Sequence, residues 1–360
     1  MANQASAPCE PAGRIDVPPR GGSYLRLPEA FGQRFAVFVD TEEEFDWSGP
    51  FRRDQRSTET MAEIGTIHKH FSGHGIRPVY LIDHPVATDP RAVATLRRFQ
   101  DDGECTIGAH LHPWVNPPHE EQVNALNSFA GNLPMSLERA KIGALTDTIE
   151  AAFGHRPTVY RAGRYGVGPN TATILRDLGY RVDVSVRALF DYRDKSGPDF
   201  RRMKPFPYRF GGLLEVPLTA AYTGALRAIG GPLYAAAKSM GNAHGLLART
   251  GLLSRVAFTP EGMPLGDVVE ALDRLLDDGL QLFSISFHSP SLVPGHTPYV
   301  RDAADLARFY AWWDGLFEAA ARRGLAPASM EEIEAAAALA VPRARPLANG
   351  IRAPLSASRA

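Results

Sequence analysis

Short apolar runs alternate with amphipathic segments along most of the chain. The run RFAVFVD predicts a buried strand that ends at Asp40, and LFSISFH predicts another that ends at His288. Further strands are predicted at 77–83, 104–112, 157–163 and 181–186. Apolar residues at helical spacing predict helices at 57–73, 91–101, 137–153, 170–179, 264–279 and 303–323. Strands that alternate with helices predict a parallel sheet, and at least five such units favour an α/β fold of the closed or nearly closed (β/α) barrel type.

The two ends of the chain differ in composition from its centre. Residues 1–30 and 341–360 are rich in Pro, Gly and Ala, which predicts flexible arms around one barrel domain at 31–340. Within that domain, Ser136 is the expected N-cap of the helix at 137–153. The apolar, lightly basic segment 220–255 is interpreted as a pair of core or dimer helices. Peripheral contact with a membrane face or a lipid-linked substrate is the alternative.

Composition and charge limit which binding partners and which cellular location we expect. The 360 residues carry a formal net charge of −1 and no long basic run, so no nucleic-acid partner is expected. The two cysteines, Cys9 and Cys105, do not indicate a structural disulfide. The N-terminal segment has no apolar signal region, and no apolar run reaches the length of a transmembrane segment. We therefore expect a cytoplasmic protein, whose oligomeric state the sequence does not indicate.

Titratable residues are concentrated at the predicted carboxyl ends of the strands. In (β/α) barrels these ends form the active site. The predicted mouth therefore gathers an unusual set of polar side chains: Asp40, Asp83, His84, His110, His112, Arg161, Asp183 and His288.

Two pairs in this set have the spacing of metal ligands. Side chains two residues apart in a strand point to one side, so His110 and His112 share a face, as do Asp40 and Glu42. Three protein ligands and an open position are typical of a catalytic zinc-like site, and Glu42, His110 and His112 supply such a set. Asp40 is then the general base. The opposite assignment, with Asp40 as a ligand and Glu42 or Glu44 as the base, remains an alternative.

Other residues are assigned supporting roles. Arg161 is predicted to orient Asp40 and hold it ionised, and His288 to act as general acid with its pKa set by a carboxylate such as Asp183. A backbone N–H in the Tyr165–Gly166 turn is expected to stabilise the oxyanion. Glu43 and Glu44 are interpreted as a solvated acidic loop. The predicted substrate contacts are Tyr165, Trp114, His84 and Asp183, and Trp47 is a further candidate for stacking on the substrate.

Four motifs, FVDTEEEFDW, ECTIGAHLH, YRAGRYG and ISFHSPSL, in this order, resemble those of the polysaccharide deacetylase family (NodB homology, carbohydrate esterase family 4). The resemblance spans roughly residues 34–335 and is greatest to the WalW-like branch. It implies a distorted (β/α)7 barrel and a hydrolase that acts on carbon–nitrogen bonds. Such an enzyme removes an N-acetyl or O-acetyl group from a sugar or surface-polysaccharide precursor, using an Asp base, a metal-bound water and a His acid. The implied cofactor is a divalent ion, zinc first, with cobalt, nickel or iron as alternatives.

The chain also departs from the family pattern. The usual adjacent aspartates are replaced by Asp40-Thr-Glu42, and the usual histidine spacing of four becomes two, with Trp114 where the second histidine would fall. Gly163 replaces the proline of the arginine motif. Two other functions therefore remain as alternatives: a metal-independent cyclic-amide hydrolase on the same fold, and a catalytically inactive barrel that binds a glycan.

Overall fold

Seven parallel strands form the centre of the computed structural model, which describes residues 14–19, 23–241 and 243–343. Each of the first five strands pairs with the next in chain order, and the last strand pairs with the first. They are β1 (Arg34–Thr41), β2 (Val79–Ile82), β3 (Thr106–Leu111), β4 (Val159–Ala162), β5 (Val182–Asp183), β6 (Leu213–Glu215) and β7 (Leu282–His288). The sheet order is β7-β1-β2-β3-β4-β5-β6. The predicted parallel α/β architecture is confirmed.

The sheet is curled into a distorted barrel. Arg161 on β4 donates a hydrogen bond to Ser286 on β7 at 2.6 Å, although three strands separate them in the sheet. In a flat sheet these strands would lie about 19 Å apart at the usual spacing. Between β6 and β7, where no strand pairing occurs, Thr219 donates to the carbonyl of Ser284, and Ser286 donates to that of Phe258. These bonds bring the barrel close to closure, as predicted.

Helices and short strands surround the barrel. The α-helices are Ile64–Ser72, His84–Thr88, Pro90–Asp101, Met135–Phe153, Thr171–Asp177, Gly230–Ser239, Ala243–Arg249, Leu265–Asp277, Ala303–Arg322 and Met330–Ala338. Two-stranded pairs add Ala220–Thr223 with Ser254–Ala257, and Leu25–Arg26 with Val341–Pro342; Tyr208–Phe210 pairs with β6, and Ala326–Pro327 with β1. None of the helices in the described ranges is long and apolar enough to cross a membrane.

The core has an inner and an outer layer. Alternate residues of the strands, such as Ala36 and Phe38 of β1, fill the barrel interior together with Met330 and Ile333 of the last helix. The opposite faces of the strands pack against the surrounding helices. This alternation follows from the two-residue period of a strand. It places Asp40, two positions beyond Phe38, on the inner side at the mouth.

Three local predictions need correction. Ser136 is not an N-cap: the helix begins one residue earlier, after Pro134, whose fixed φ suits a helix start. The strand predicted at 181–186 ends at Asp183, because the N–H groups of Ser185 and Val186 donate to carboxylate side chains. The segment 220–255 contains two helices, but they lie inside a β-hairpin. Cys9 and much of the predicted arms lie outside the described residues.

Candidate active site

Glu42, His110 and His112 converge at the mouth of the barrel. The Nε2 atoms of the two histidines lie 3.1 Å apart, and Glu42 Oε2 lies 3.3 Å from His110 Nε2 and 3.4 Å from His112 Nε2. Ligand atoms placed around a tetrahedral ion at 2.0–2.2 Å would be roughly 3.3–3.6 Å apart. The three atoms therefore already have nearly the spacing of one ligand set, and all three side chains are buried.

The electrostatics of these residues fit a cation. Burial lowers the pKa of His110 well below its ordinary value and that of His112 to about 4, so both imidazoles are neutral, as metal ligands require. Burial and then the nearby carboxylates, Glu43 first, raise the pKa of Glu42 well above its ordinary value. A divalent ion would compensate this concentration of buried carboxylates. The donor set of two nitrogens and one carboxylate oxygen suits zinc and its first-row neighbours.

Glu43 is a buried partner of His112. Its Oε2 lies 2.8 Å from His112 Nδ1, and its Oε1 accepts a hydrogen bond of 2.9 Å from Trp114 Nε1. Asp83 Oδ2 accepts from the Glu43 N–H at 2.8 Å. The prediction that Glu43 is solvated is therefore wrong. A carboxylate on the far nitrogen of a ligating histidine fixes its tautomer and ring orientation.

Trp114 also supports His112 from inside the protein. Its ring stacks on the imidazole at a centroid distance of 4.3 Å, and only 1% of the residue is exposed. The predicted substrate contact through Trp114 is therefore wrong. On the other side, a Cβ at Gly163 would collide with the His112 ring and with the carbonyl oxygen of Leu111. Glycine is thus required beside the two-residue histidine motif.

Asp40 and Arg161 form a buried ion pair. Arg161 Nη1 donates to Asp40 Oδ1 and to Ser286 Oγ, while Nε donates to the carbonyl of Val184 at 3.0 Å. Burial opposes ionisation of Asp40, but Arg161 and the nearby histidines outweigh it, so its pKa lies below the ordinary value. The predicted pairing of Arg161 with Asp40 is present, and Asp40 Oδ2 is turned towards His288.

His288 has a different carboxylate partner from the one predicted. Its Nδ1 lies 2.6 Å from Glu261 Oε2, and its Nε2 lies 3.6 Å from Asp40 Oδ2. Burial lowers the pKa of His288, but Glu261 and Asp40 outweigh this and raise it above the ordinary value. The ring is 19% exposed, so it is open to the mouth while Glu261 is buried.

Asp183 lies away from the mouth. It is fully buried on the face of β5 opposite to Val182, where it bonds Ser185 Oγ at 2.7 Å and adjoins Glu215. Both predicted roles of Asp183, setting the pKa of His288 and contacting substrate, are therefore wrong. Residue alternation explains the error, because Val182 faces the barrel interior and the next residue, Asp183, therefore faces outward.

The turn after β4 has unusual backbone geometry. Arg164 and Tyr165 have φ of 57° and 60°, a left-handed conformation that costs energy for residues with a side chain. The N–H of Gly166, one candidate for the oxyanion contact, already donates to the carbonyl of Gly163 at 3.0 Å. Tyr165 is 9% exposed beside Asp40, where its predicted contact with substrate stays a prediction.

Aromatic rings border the open side of His288. Trp47 packs edge-on against His288 at 4.9 Å and against Tyr299 at 5.8 Å, and Tyr299 is 39% exposed. His84 lies at the first turn of its helix, outside the ligand triangle. Burial, then the charges of Arg56 and His119, lower its pKa to about 4.

Sequence reasoning missed three supporting residues: Glu43, Glu261 and Ser286. Ser286 had a signal, because it alternates with Ser284 and His288 on β7 and so faces the barrel interior. Glu43 had the weaker signal of lying two residues beyond the end of β1. Glu261 had none, because it reaches His288 only through the hairpin strand Ser254–Ala257.

No protein-family model and no curated protein matches the chain. Among solved structures, the chain is similar to a presumed polysaccharide deacetylase from Mycobacterium smegmatis (17% identity, 89% of this chain and 95% of that one, TM-score 0.47). It is also similar to a family 4 carbohydrate esterase from Streptomyces lividans in complex with acetate (12%, 84% and 94%, TM-score 0.40). A third is a 4-alpha-glucanotransferase from Thermococcus litoralis (14%, 86% and 41%, TM-score 0.47). The predicted resemblance to polysaccharide deacetylases thus recurs among solved structures, at a distance too great to assign an activity.

Proposed function

We propose that this protein is a metal-dependent hydrolase that removes an acetyl group from a sugar. The observation that carries the proposal is the convergence of three units at one barrel mouth. These are the ligand triangle of Glu42, His110 and His112, the Asp40–Arg161 ion pair, and the His288–Glu261 pair. Hydrolysis of an amide or ester needs a group that polarises the carbonyl, a base and an acid. The triangle would hold the metal ion that polarises the carbonyl, and Asp40 and His288 would be the base and the acid.

Two sets of contacts favour Glu42 as the metal ligand and Asp40 as the base. Glu42 Oε2 faces both histidines, whereas Asp40 Oδ1 is held by Arg161. Glu44, the other candidate base, accepts a hydrogen bond from the Thr60 N–H and lies outside the triangle. A divalent ion, zinc or else cobalt, nickel or iron, supplies Lewis acidity at this site when bound.

Asp40 and His288 then carry out the two proton transfers of the reaction. Asp40, kept ionised by Arg161, accepts a proton from the attacking water through Oδ2. His288, protonated because Glu261 and Asp40 raise its pKa, donates a proton from Nε2 to the departing amine or alcohol. Trp47 and Tyr299 border the open side, where a sugar ring can stack.

The test is metal content and acetate release of the purified protein. We expect near-stoichiometric metal in the wild type, and its loss in His110→Ala and His112→Ala. His84→Ala is the matched control, because His84 lies near the mouth but outside the triangle, and it should keep the metal.

Acetate release from N-acetylated and O-acetylated sugars should stop on chelation and return on adding the ion. Activity that survives chelation would favour the cyclic-amide alternative, and a barrel that neither takes up metal nor releases acetate would favour a binder. The acetylated precursor, its N- or O-linkage, any lipid link and the cytoplasmic location stay predictions.

A further inference from the structure

Arg187 lies beside the mouth, in the segment after β5. Its guanidinium carbon lies 5.2 Å from the ring centroid of Tyr165 and 4.0 Å from that of Phe190. Tyr165 lies in the turn directly after β4, the strand that carries Arg161, so the guanidinium of Arg187 lies against the mouth on this side.

The charge of Arg187 has no counterion within residues 14–19, 23–241 and 243–343. Its hydrogen bond from Nη1 goes to the hydroxyl of Tyr192 at 3.2 Å, and its Nε is buried without a partner. The other guanidinium of the mouth, that of Arg161, is by contrast used by Asp40, Ser286 and Val184. A largely buried cation without a counterion is costly unless a ligand completes it.

Arg187 is also held in place mainly by aromatic rings, with one hydrogen bond, from Nη1 to the Tyr192 hydroxyl. Stacking against Tyr165 and Phe190 fixes the guanidinium plane through ring faces, which leaves N–H groups free. A planar guanidinium presents two parallel donors to a carboxylate or phosphate. A fixed fork of this kind binds an anionic oxygen group at a lower entropy cost than a mobile one.

We propose that Arg187 binds an anionic oxygen group on the substrate, a carboxylate or a phosphate, so that the enzyme acts on a negatively charged acetylated sugar. This inference rests on the proposed function, whose substrate class it narrows.

The experiment measures binding and acetate release separately for three sugars. N-acetylglucosamine is neutral, N-acetylmuramic acid carries a carboxylate, and N-acetylglucosamine 1-phosphate carries a phosphate. Titration calorimetry on the metal-loaded wild type should show affinity for at least one charged sugar that is about ten- to a hundredfold above that for the neutral one. The preferred charged sugar identifies whether the anion is a carboxylate or a phosphate.

Variants test whether Arg187 causes this preference. Arg187→Met should abolish it while leaving binding of N-acetylglucosamine unchanged, and Arg187→Lys should restore part of it. Arg255→Met is the matched control, because Arg255 also stacks on Phe190, at 3.7 Å, but lines a separate groove with Tyr222 and Tyr234. It should keep the preference. Thermal unfolding of each variant checks that the fold is intact.

Two results would overturn the inference: a wild type without preference for either charged sugar, or an Arg187→Met variant that keeps it. Acetate release separates this outcome from failure of the proposed function. If charged sugars bind through Arg187 but release no acetate, the anion site stands and the deacetylase assignment fails. If only the neutral sugar is hydrolysed, and equally well by wild type and Arg187→Met, the deacetylase stands and the anion site fails.

Discussion

His112 and His288 stand on different strands of the same mouth, and each brings its Nδ1 close to a buried glutamate. The partner of His112 is Glu43 at 2.8 Å, and that of His288 is Glu261 at 2.6 Å. The pKa values of the two rings nevertheless move in opposite directions. Burial lowers the pKa of His112 to about 4, whereas Glu261 and Asp40 overcome burial and raise that of His288.

The surroundings explain this difference. His112 is 3% exposed, and burial is the main cause of its lowered pKa, to which the charge of His288 also contributes. His288 is 19% exposed, and its free nitrogen faces Asp40. The same histidine–glutamate unit therefore serves as a neutral ligand in one place and as a proton donor in the other. Burial decides the role of His112, and the charges of Glu261 and Asp40 decide that of His288.

Removing each histidine in turn should give the largest effect and separate the two roles. We expect His112→Ala to lose both metal and activity, because one ligand of three is missing. His288→Ala should keep stoichiometric metal and lose about 10²–10⁴-fold in kcat, the usual contribution of a general acid. Elemental analysis and steady-state kinetics on both variants measure this. Equal metal loss in the two variants would contradict the division of roles.

Gly163→Ala should disturb only the metal ligands Glu42, His110 and His112 and leave the His288–Glu261 pair in place. A methyl group there meets the His112 ring and the Leu111 carbonyl, so the imidazole must move out of the triangle. We expect metal affinity to fall by more than about tenfold, as for other changes that misplace a ligand. Gly143→Ala is the control, because Gly143 lies inside the helix Met135–Phe153 and its added Cβ meets nothing within 4 Å. The control should keep metal and gain up to about 1 kcal/mol in unfolding free energy.

These two predictions also show what the sequence did and did not reveal. The ligand triangle follows from alternation along β1 and β3, which a sequence displays directly, and β7 was predicted with its observed bounds. The partners Glu43 and Glu261 depend on contacts across the fold. An acidic run such as TEEEF is normally solvated, whereas here the indole of Trp114 and the imidazole of His112 give Glu43 partners in the interior. The prediction for Asp183 was wrong because Val182 faces the barrel interior, so that Asp183, the next residue of the strand, faces outward.

Replacing the two glutamates should change two different quantities. Glu43→Gln should weaken metal binding by about 10–100-fold, as loss of a carboxylate behind a ligating histidine does. Glu261→Gln should leave metal binding intact and remove the main group that raises the pKa of His288. Since the acid must be protonated, the alkaline limb of the kcat profile should then move to lower pH. Metal titration and pH–rate profiles measure the two effects, and an unchanged alkaline limb in Glu261→Gln would remove Glu261 from this role.

Ser286→Ala should give the smallest effect. It acts indirectly, through Arg161, on Asp40, the residue that the metal ligands and the His288–Glu261 pair have in common as a neighbour. Asp40 lies between Arg161 and His288, and Ser286 Oγ helps to hold Arg161 by accepting from Nη1 at 2.6 Å. The Asp40 and Val184 contacts of Arg161 remain in the variant. We expect kcat to fall by less than about tenfold, the cost of one hydrogen bond to a charged group, with KM and metal content unchanged. A loss as large as that of His288→Ala would mean that Ser286 on β7 is the main residue that positions Asp40. The separation of the mouth into metal ligands (Glu42, His110 and His112) and an acid pair (His288 and Glu261) would then be wrong, because both would depend on Arg161.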